Sequence, residues 1–334
     1  MPQLRKDAFT DLWVIVPTDL SRRPTDFLRD PVPSTPSGDI CPFCPGNEAM
    51  TPPEIMAYRA GSASNQPGWS LRVVPSKFAV LGIEGGLDRE AEGLFDKMRG
   101  VGAHEVVIET QAHALSITEL SEYSIEKVFT AFRERFRDLK NDRRLRYVHA
   151  FKNFGVAAGA RLEHTHSQVI ALPLVPHRVQ DELATAKQHY EAKERCLYCD
   201  LIRQETSSGA RLVLETDRFA VVEPFASRYP FETWILPKVH RSHFEDVDVD
   251  HLGNLAWVLK SALRRIEKAL ERPAYNLVLH TSPVQDFANP YYHWHIEVLP
   301  KVTRVSGLEL GTGYYVNPTP PEEAAQFLRE ITLT

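Results

Sequence analysis

The sequence predicts an α+β protein built as one unit used twice. Two observations carry this. Strand-like and helix-like stretches recur in the same order in both halves of the 334 residues. Each half also runs from a Cys-x-x-Cys pair to a His-x-His pair on a strand ending in Leu-Pro. The first half has Cys41/Cys44, His164/His166 and Leu172-Pro173, and the second has Cys196/Cys199, His293/His295 and Leu299-Pro300. The interval from His113 to His164 nearly equals that from His240 to His293, although anchoring on Leu-Pro shifts the second histidine pair by two positions. A chain this long exceeds one small core and predicts two domains or one large sheet.

Taken in order, residues 4–16 (LRKDAFTDLWVIV) predict a turn and then a strand, and 31–38 a Pro/Ser-rich linker. Residues 41–48 (CPFCPGNE) form a knuckle turned by Pro45-Gly46. Residues 59–70 are loop, 71–74 a short strand, and the polar, Gly-rich stretch 83–103 a flexible crossing. The strand EVVIE (105–109) delivers His113 just past its end. Ile125, Val128, Phe129, Phe132, Phe136 and Leu139 recur at helical spacing, as do Leu252, Leu255, Leu259, Leu263, Ile266 and Leu270. The alternating run at 147–154, the apolar run 169–172, and stretches near 211–223, 232–236 and 275–279 predict strands. Pro320-Pro321-Glu322-Glu323 starts a C-terminal helix, with proline and acids where a helix N-terminus favours them.

A net charge of −5 and a pI near 6.2 argue against an extended nucleic-acid surface or an anionic-membrane surface. Any bound phosphate is expected to be held locally, by a few donors. The N-terminus MPQLRKDAFTDLW lacks a long apolar segment, and no apolar run reaches 18 residues, so a soluble cytoplasmic protein is expected.

The four cysteines form two pairs, which in a cytosolic chain read first as metal knuckles and second as redox dithiols. Zinc takes thiolate and imidazole in a closed tetrahedron. Cys41, Cys44, His113 and His164 can supply one such site, and Cys196, Cys199, His240 and His293 a second, with His104 and His243 competing for the third positions. His166 differs in kind. If His164 is tied to a metal, His166 remains free as a nucleophile that attacks phosphorus and later leaves. The charge that develops needs donors already in place, here the Gly155–Gly159 amides and the Gln168 side chain. His295-Ile-Glu297 matches the H-x-E of zinc deaminases, but both Cys-x-x-Cys pairs lie upstream of it, the wrong order. No GxxxxGK[ST] loop is present. A non-enzymatic zinc-stabilised binding module is the remaining alternative, and it leaves the Gly/Ala loop and His166 without a role.

WVIVP, RRPTDF, CPFCPGNE, RVVPSKF, HEVVIE, FKNFGVAAGA, EHTHSQVIALP, YPFETWILPKVH, HTSP and ELGTGYYVNP span nearly the whole chain. Together they resemble the galactose-1-phosphate uridylyltransferases of the histidine-triad superfamily. The resemblance implies two histidine-triad-like half-domains, 1–176 with the nucleophile and 177–334, each a mainly antiparallel sheet with flanking helices. It implies a homodimer whose active sites draw on both subunits. It also implies ping-pong transfer of UMP between UDP-glucose and galactose 1-phosphate through a nucleotidyl-histidine at His166. Gln168 would bond the non-bridging oxygens, Asn153 and Gly159 would line the phosphate site, and Glu309 would bind hexose hydroxyls, with Arg23, Ser76 and Arg161 as further substrate contacts.

Arg161 stands where members commonly have serine, Ser76 where they often have asparagine, and Asp19-Leu20 where an arginine is common. Some members hold their second metal with a glutamate and three histidines, here Glu182, His280, His293 and His295, whereas Cys196/Cys199 makes this chain resemble the two-zinc branch. Plant-like members with the same cysteine pairs and H-x-H-S-Q transfer adenylyl groups and phosphorolyse ADP-glucose.

Overall fold

The computed structural model of the chain describes residues 1–27, 31–38, 40–286 and 288–333. The N-terminus forms two strands rather than one, β1 (Gln3–Lys6) and β2 (Trp13–Val16), an antiparallel hairpin. Next come β3 (Met56–Arg59), which no predicted strand covers and whose last residue falls in the predicted loop, and β4 (Trp69–Pro75), which extends the predicted strand at both ends and takes in the end of that loop. The predicted flexible crossing contains an exposed two-stranded hairpin, β5 (Glu90–Glu92) and β6 (Phe95–Lys97). It is followed by β7 (Ala103–Ile108), helix α1 (Glu122–Leu139), β8 (Tyr147–Phe154) and β9 (His166–Leu172).

Two helices that the apolar pattern did not predict follow: α2 (His177–Lys193) and α3 (Leu197–Ser208). The reason is physical. α2 buries only Val179, Glu182 and Ala186, so it carries no apolar stripe. The second half then repeats the first as β10 (Leu212–Glu215), β11 (Phe219–Val222), β12 (Thr233–Pro237), α4 (Val249–Ala269), β13 (Tyr275–His280) and β14 (His295–Pro300). The short helix α5 (Gly307–Thr312), strand β15 (Tyr315–Val316) and helix α6 (Pro321–Glu330) close the chain.

The fold is α+β and dominated by antiparallel sheet. The two halves do not form separate sheets: ten strands run in the order β10-β11-β12-β14-β13-β8-β9-β7-β4-β3. Each five-stranded half has the same internal order, and they join where β8 pairs antiparallel with β13, from Phe154 opposite Tyr275 to Ala150 opposite Leu279. α1 and α4 pack on each other and on one face of this sheet. Their Phe129, Phe132, Phe136, Leu255, Leu259 and Leu263 are buried in one core with Val148, Ala150 and Phe154 of β8. Side chains alternate along a strand, so covering that face leaves His149, Phe151 and Asn153 of β8 on the other. No helix among the described residues is long and apolar enough to cross a membrane.

Candidate active site

His166 opens β9 on the uncovered face, and the residue is 9% exposed. Two cavities of about 400 and 610 Å3 flank it, and both are lined by His166, Asn153, Arg161 and Leu162. The larger has apolar walls from Phe78, Val106, Phe151 and Ile170, with Ser76, Gly159 and Gln168 also lining it. The structure therefore brings His166, Gln168, Asn153, Gly159, Ser76 and the exposed Arg161 together.

Arg23 and Glu309 are elsewhere. Arg23 caps a short 3-10 turn, and the neighbouring Arg22 bonds to Pro318 and Thr319. Glu309 sits at the start of α5, bonded to the Ser306 hydroxyl and amide. Neither lines a cavity at His166.

The Gly/Ala loop turns part of the expected row of amides onto itself. Ala158 N–H and Ala160 N–H donate to the Gly155 carbonyl, both at 3.1 Å, and Gly159 N–H donates to Val156 at 2.9 Å. The loop thus folds on itself as a 3-10 turn, and those three donors are spent. Gly159 closes the turn at φ 90°, where a side chain would be strained.

Side-chain amides also face the cavity. Asn276 donates to both the Ala158 carbonyl and Asn153 Oδ1 at 2.8 Å, which makes the Asn153 oxygen an acceptor and turns its NH2 toward Gly159.

The His166 ring is held by its own chain: Nδ1–H donates to the His164 carbonyl at 2.8 Å, leaving the lone pair on Nε2. Burial, reinforced by the Lys152 charge, pushes the proton affinity of this ring below the usual histidine range. Beneath it lies a network the sequence reading missed. Lys152 Nζ donates to the His166 carbonyl at 2.9 Å, to Thr165 Oγ1 at 2.8 Å and to Glu109 at 2.9 Å, and the same carboxylate accepts from Ser167 and Thr165. Although burial disfavours the ionised carboxyl, Lys152 and the two hydroxyls hold Glu109 below its ordinary range. The available signal was a lysine at an inward position of an otherwise apolar alternating strand.

Beside His166, Cys41, Cys44, His113 and His164 bring their donor atoms within 4.8 Å of one another. Nδ1 of His164 lies 3.5 and 3.7 Å from the two sulfurs, and that of His113 lies 3.2 Å from Cys44. His164 Nε2 donates to the Thr110 carbonyl at 2.9 Å. His104, the competitor for the third position, lies instead in the larger cavity.

The second half repeats this with Cys196, Cys199, His240 and His293. Nδ1 of His240 and of His293 faces Cys199 at 3.5 and 3.7 Å, and Nε2 of each is held by a carbonyl, of Asn289 and Pro237. A backbone carbonyl on one nitrogen leaves the other as a lone pair aimed at the thiols, the donor pattern of a metal ligand. His243 bonds Pro283 instead.

The alternative set of Glu182, His280, His293 and His295 does not assemble. Glu182, His280 and His295 cluster with Glu297, while His293 joins the cysteines. His280 lies between the two carboxylates, at 3.3 Å from Glu182 and 3.4 Å from Glu297, and stacks on His295. By spacing, His295 and Glu297 are the counterparts of His166 and Gln168. Their site is filled, because Glu297 is tied to Arg178 and Arg228 and His295 is wholly buried against Trp234.

The family model for the N-terminal domain of galactose-1-phosphate uridyl transferase matches residues 1–176, and that for the C-terminal domain matches 182–332. The chain belongs to the galactose-1-phosphate uridylyltransferase family. As a member it is a nucleotidyltransferase. It is 36% identical to an ADP-glucose phosphorylase of Arabidopsis thaliana over 100% of this chain and 94% of that protein. It is 30% identical to a galactose-1-phosphate uridylyltransferase of Thermotoga maritima over 99% and 98%. The crystal structure of an Arabidopsis thaliana ADP-glucose phosphorylase with bound ADP-glucose superposes with a TM-score of 0.84 at 34% identity, covering 100% of both chains. A uridylyltransferase structure superposes at 0.76 with 29% identity, over 98% of this chain and 97% of that one.

Proposed function

We propose that the protein carries a nucleotide between two phosphates on His166, taking UMP from UDP-glucose and giving it to galactose 1-phosphate. One observation carries the reading: the Nδ1–H bond to the His164 carbonyl leaves Nε2 of a neutral ring as the nucleophile between two cavities. Nε2 attacks the α-phosphorus, the bond to the bridging oxygen breaks, and hexose 1-phosphate leaves. The incoming sugar phosphate then attacks the same phosphorus, and the P–N bond breaks. Gln168 and Asn153 supply N–H donors for the non-bridging oxygens, and Arg161 and Ser76 contact the substrates. The 36% identity to an ADP-glucose phosphorylase favours a second reading, in which the group carried is AMP and the acceptor is phosphate or another sugar phosphate.

Two zinc ions fit the two Cys2His2 sets, since each imidazole turns Nδ1 to the thiols; Nε2–H of His164, His240 and His293 is held by a carbonyl, and that of His113 has no hydrogen-bond partner. Bound there, zinc closes a loop-rich region that has little core of its own. The half-domains 1–176 and 177–334 work as one body in a cytoplasmic homodimer, in which Arg23 and Glu309, remote from their own His166, serve the site of the partner.

Incubating the protein with UDP-glucose or ADP-glucose and weighing it intact tests this. A gain of UMP supports the first reading and a gain of AMP the second. No gain with either leaves a zinc-stabilised binding module.

A further inference from the structure

We propose that His104 is a positioning residue that fixes which end of the Gln168 amide faces the phosphoryl group. The inference rests on the nucleotidyl-transfer reading above, but its geometry stands apart from it.

His104 lies on β7 opposite Ile170 of β9, two residues from Gln168 on the same face. Its ring has a partner on each nitrogen. The Val80 backbone N–H donates to Nδ1 at 3.3 Å, and Nε2 lies 2.8 Å from Gln168 Oε1. A backbone amide is only a donor, so Nδ1 must hold a lone pair. The proton of the neutral ring is therefore on Nε2, where it donates to the Gln168 oxygen. That oxygen is occupied, and the amide NH2 is the end left for the cavity. The opposite amide orientation would bring two N–H groups together at Nε2.

A glutamine that handles non-bridging phosphoryl oxygens must present donors to them, and an amide free to flip would present its oxygen part of the time. The resulting repulsion would fall at the point where negative charge gathers in the transition state. His104 removes that freedom before substrate arrives.

The same residue also anchors the loop carrying Ser76, Lys77, Phe78 and Val80. Ser76 N–H donates to the His104 carbonyl at 2.8 Å, and Val80 N–H to its ring. These four residues line the larger cavity. The Ser76 bond is made by the His104 main chain and survives replacement of the ring, so this wall stays placed when the imidazole is lost.

The test has two parts. In 15N spectra of the whole protein, the His104 ring should show an unprotonated Nδ1 and a protonated Nε2. The reverse tautomer would overturn the proposal whether or not the protein transfers nucleotide. In the second part, His104→Phe keeps the bulk and loses the donor, while His104→Gln keeps an amide donor. With whichever of UDP-glucose and ADP-glucose labels the wild type, single-turnover labelling of His104→Phe at saturating substrate should slow about 10- to 100-fold. Substrate affinity should change less than about 3-fold, and His104→Gln should recover much of the rate. Equal rates in wild type and His104→Phe, or a loss confined to affinity, refute the role. A wild-type protein that never labels refutes the transfer reading instead, and the tautomer then decides the geometry.

Discussion

The Lys152 ammonium lies 2.9 Å from the main-chain carbonyl of His166, on the inward face of β8 with Val148, Ala150 and Phe154. A buried cation thus fixes the backbone of the candidate nucleophile from the core side, while its own charge is balanced by Glu109. Removing Lys152 strands a buried carboxylate. Lys152→Met is expected to lower stability by about 3 kcal/mol, read as a shift in denaturant midpoint. The double variant Lys152→Met/Glu109→Gln should regain part of it. An unchanged midpoint in the single variant would show that the pair contributes nothing.

His166→Gly should abolish the nucleotide adduct and leave metal content unchanged, checked by intact mass and elemental analysis. Because burial and Lys152 depress the ring's proton affinity, the neutral form persists below the ordinary histidine pKa. Adduct formation by the wild type should therefore stay flat as pH falls from about 8 to about 6.5 and decline only at lower pH. A rate that already halves near pH 6.5 contradicts the depressed value.

Asn276 reaches across the seam between the halves to orient Asn153. Asn276→Leu frees that amide, and adduct formation should slow about 10-fold with little change in stability. Labelling at the wild-type rate would remove Asn153 from the list of phosphoryl donors.

Cys196→Ser should cost about one metal equivalent per chain and lower the denaturation midpoint, while the set around His164 stays loaded. Undiminished metal would count against the second site.

Burial opposes charge on His280, but Glu182 and Glu297 outweigh it and raise its pKa from 6.5 to about 10. The folded ring binds its proton more tightly than the unfolded chain does. Its contribution to stability is therefore complete below pH 6.5 and is lost as pH rises through about 10. Wild-type stability should fall across that window more steeply than that of His280→Gln. Parallel curves would mean that the ring is neutral.

Much of this was legible in the chain itself because it is written at short range. The helical recurrences at 125–139 and 252–270 gave α1 and α4, and alternation gave β8. α2 went unseen because its stripe is polar, and the hairpin at 90–97 because nothing covers it. The two cysteine pairs announced thiol-based sites, yet spacing could not choose between His113 and His104, or between His240 and His243. Folding chose, by sending His104 to Gln168 and His243 to the Pro283 carbonyl.

The duplicated order of elements, the cysteine–histidine sets and the distinct character of His166 were already readable in the chain, since these depend on residue type and local period. Long-range packing set the joining of ten strands into one sheet, the turning of the Ala158, Gly159 and Ala160 amides onto their own loop, and the completion of the acidic cluster by Glu297 rather than His293. Those outcomes depend on hydrogen bonds and ion pairs between residues tens to hundreds of positions apart, whose partners no local pattern specifies.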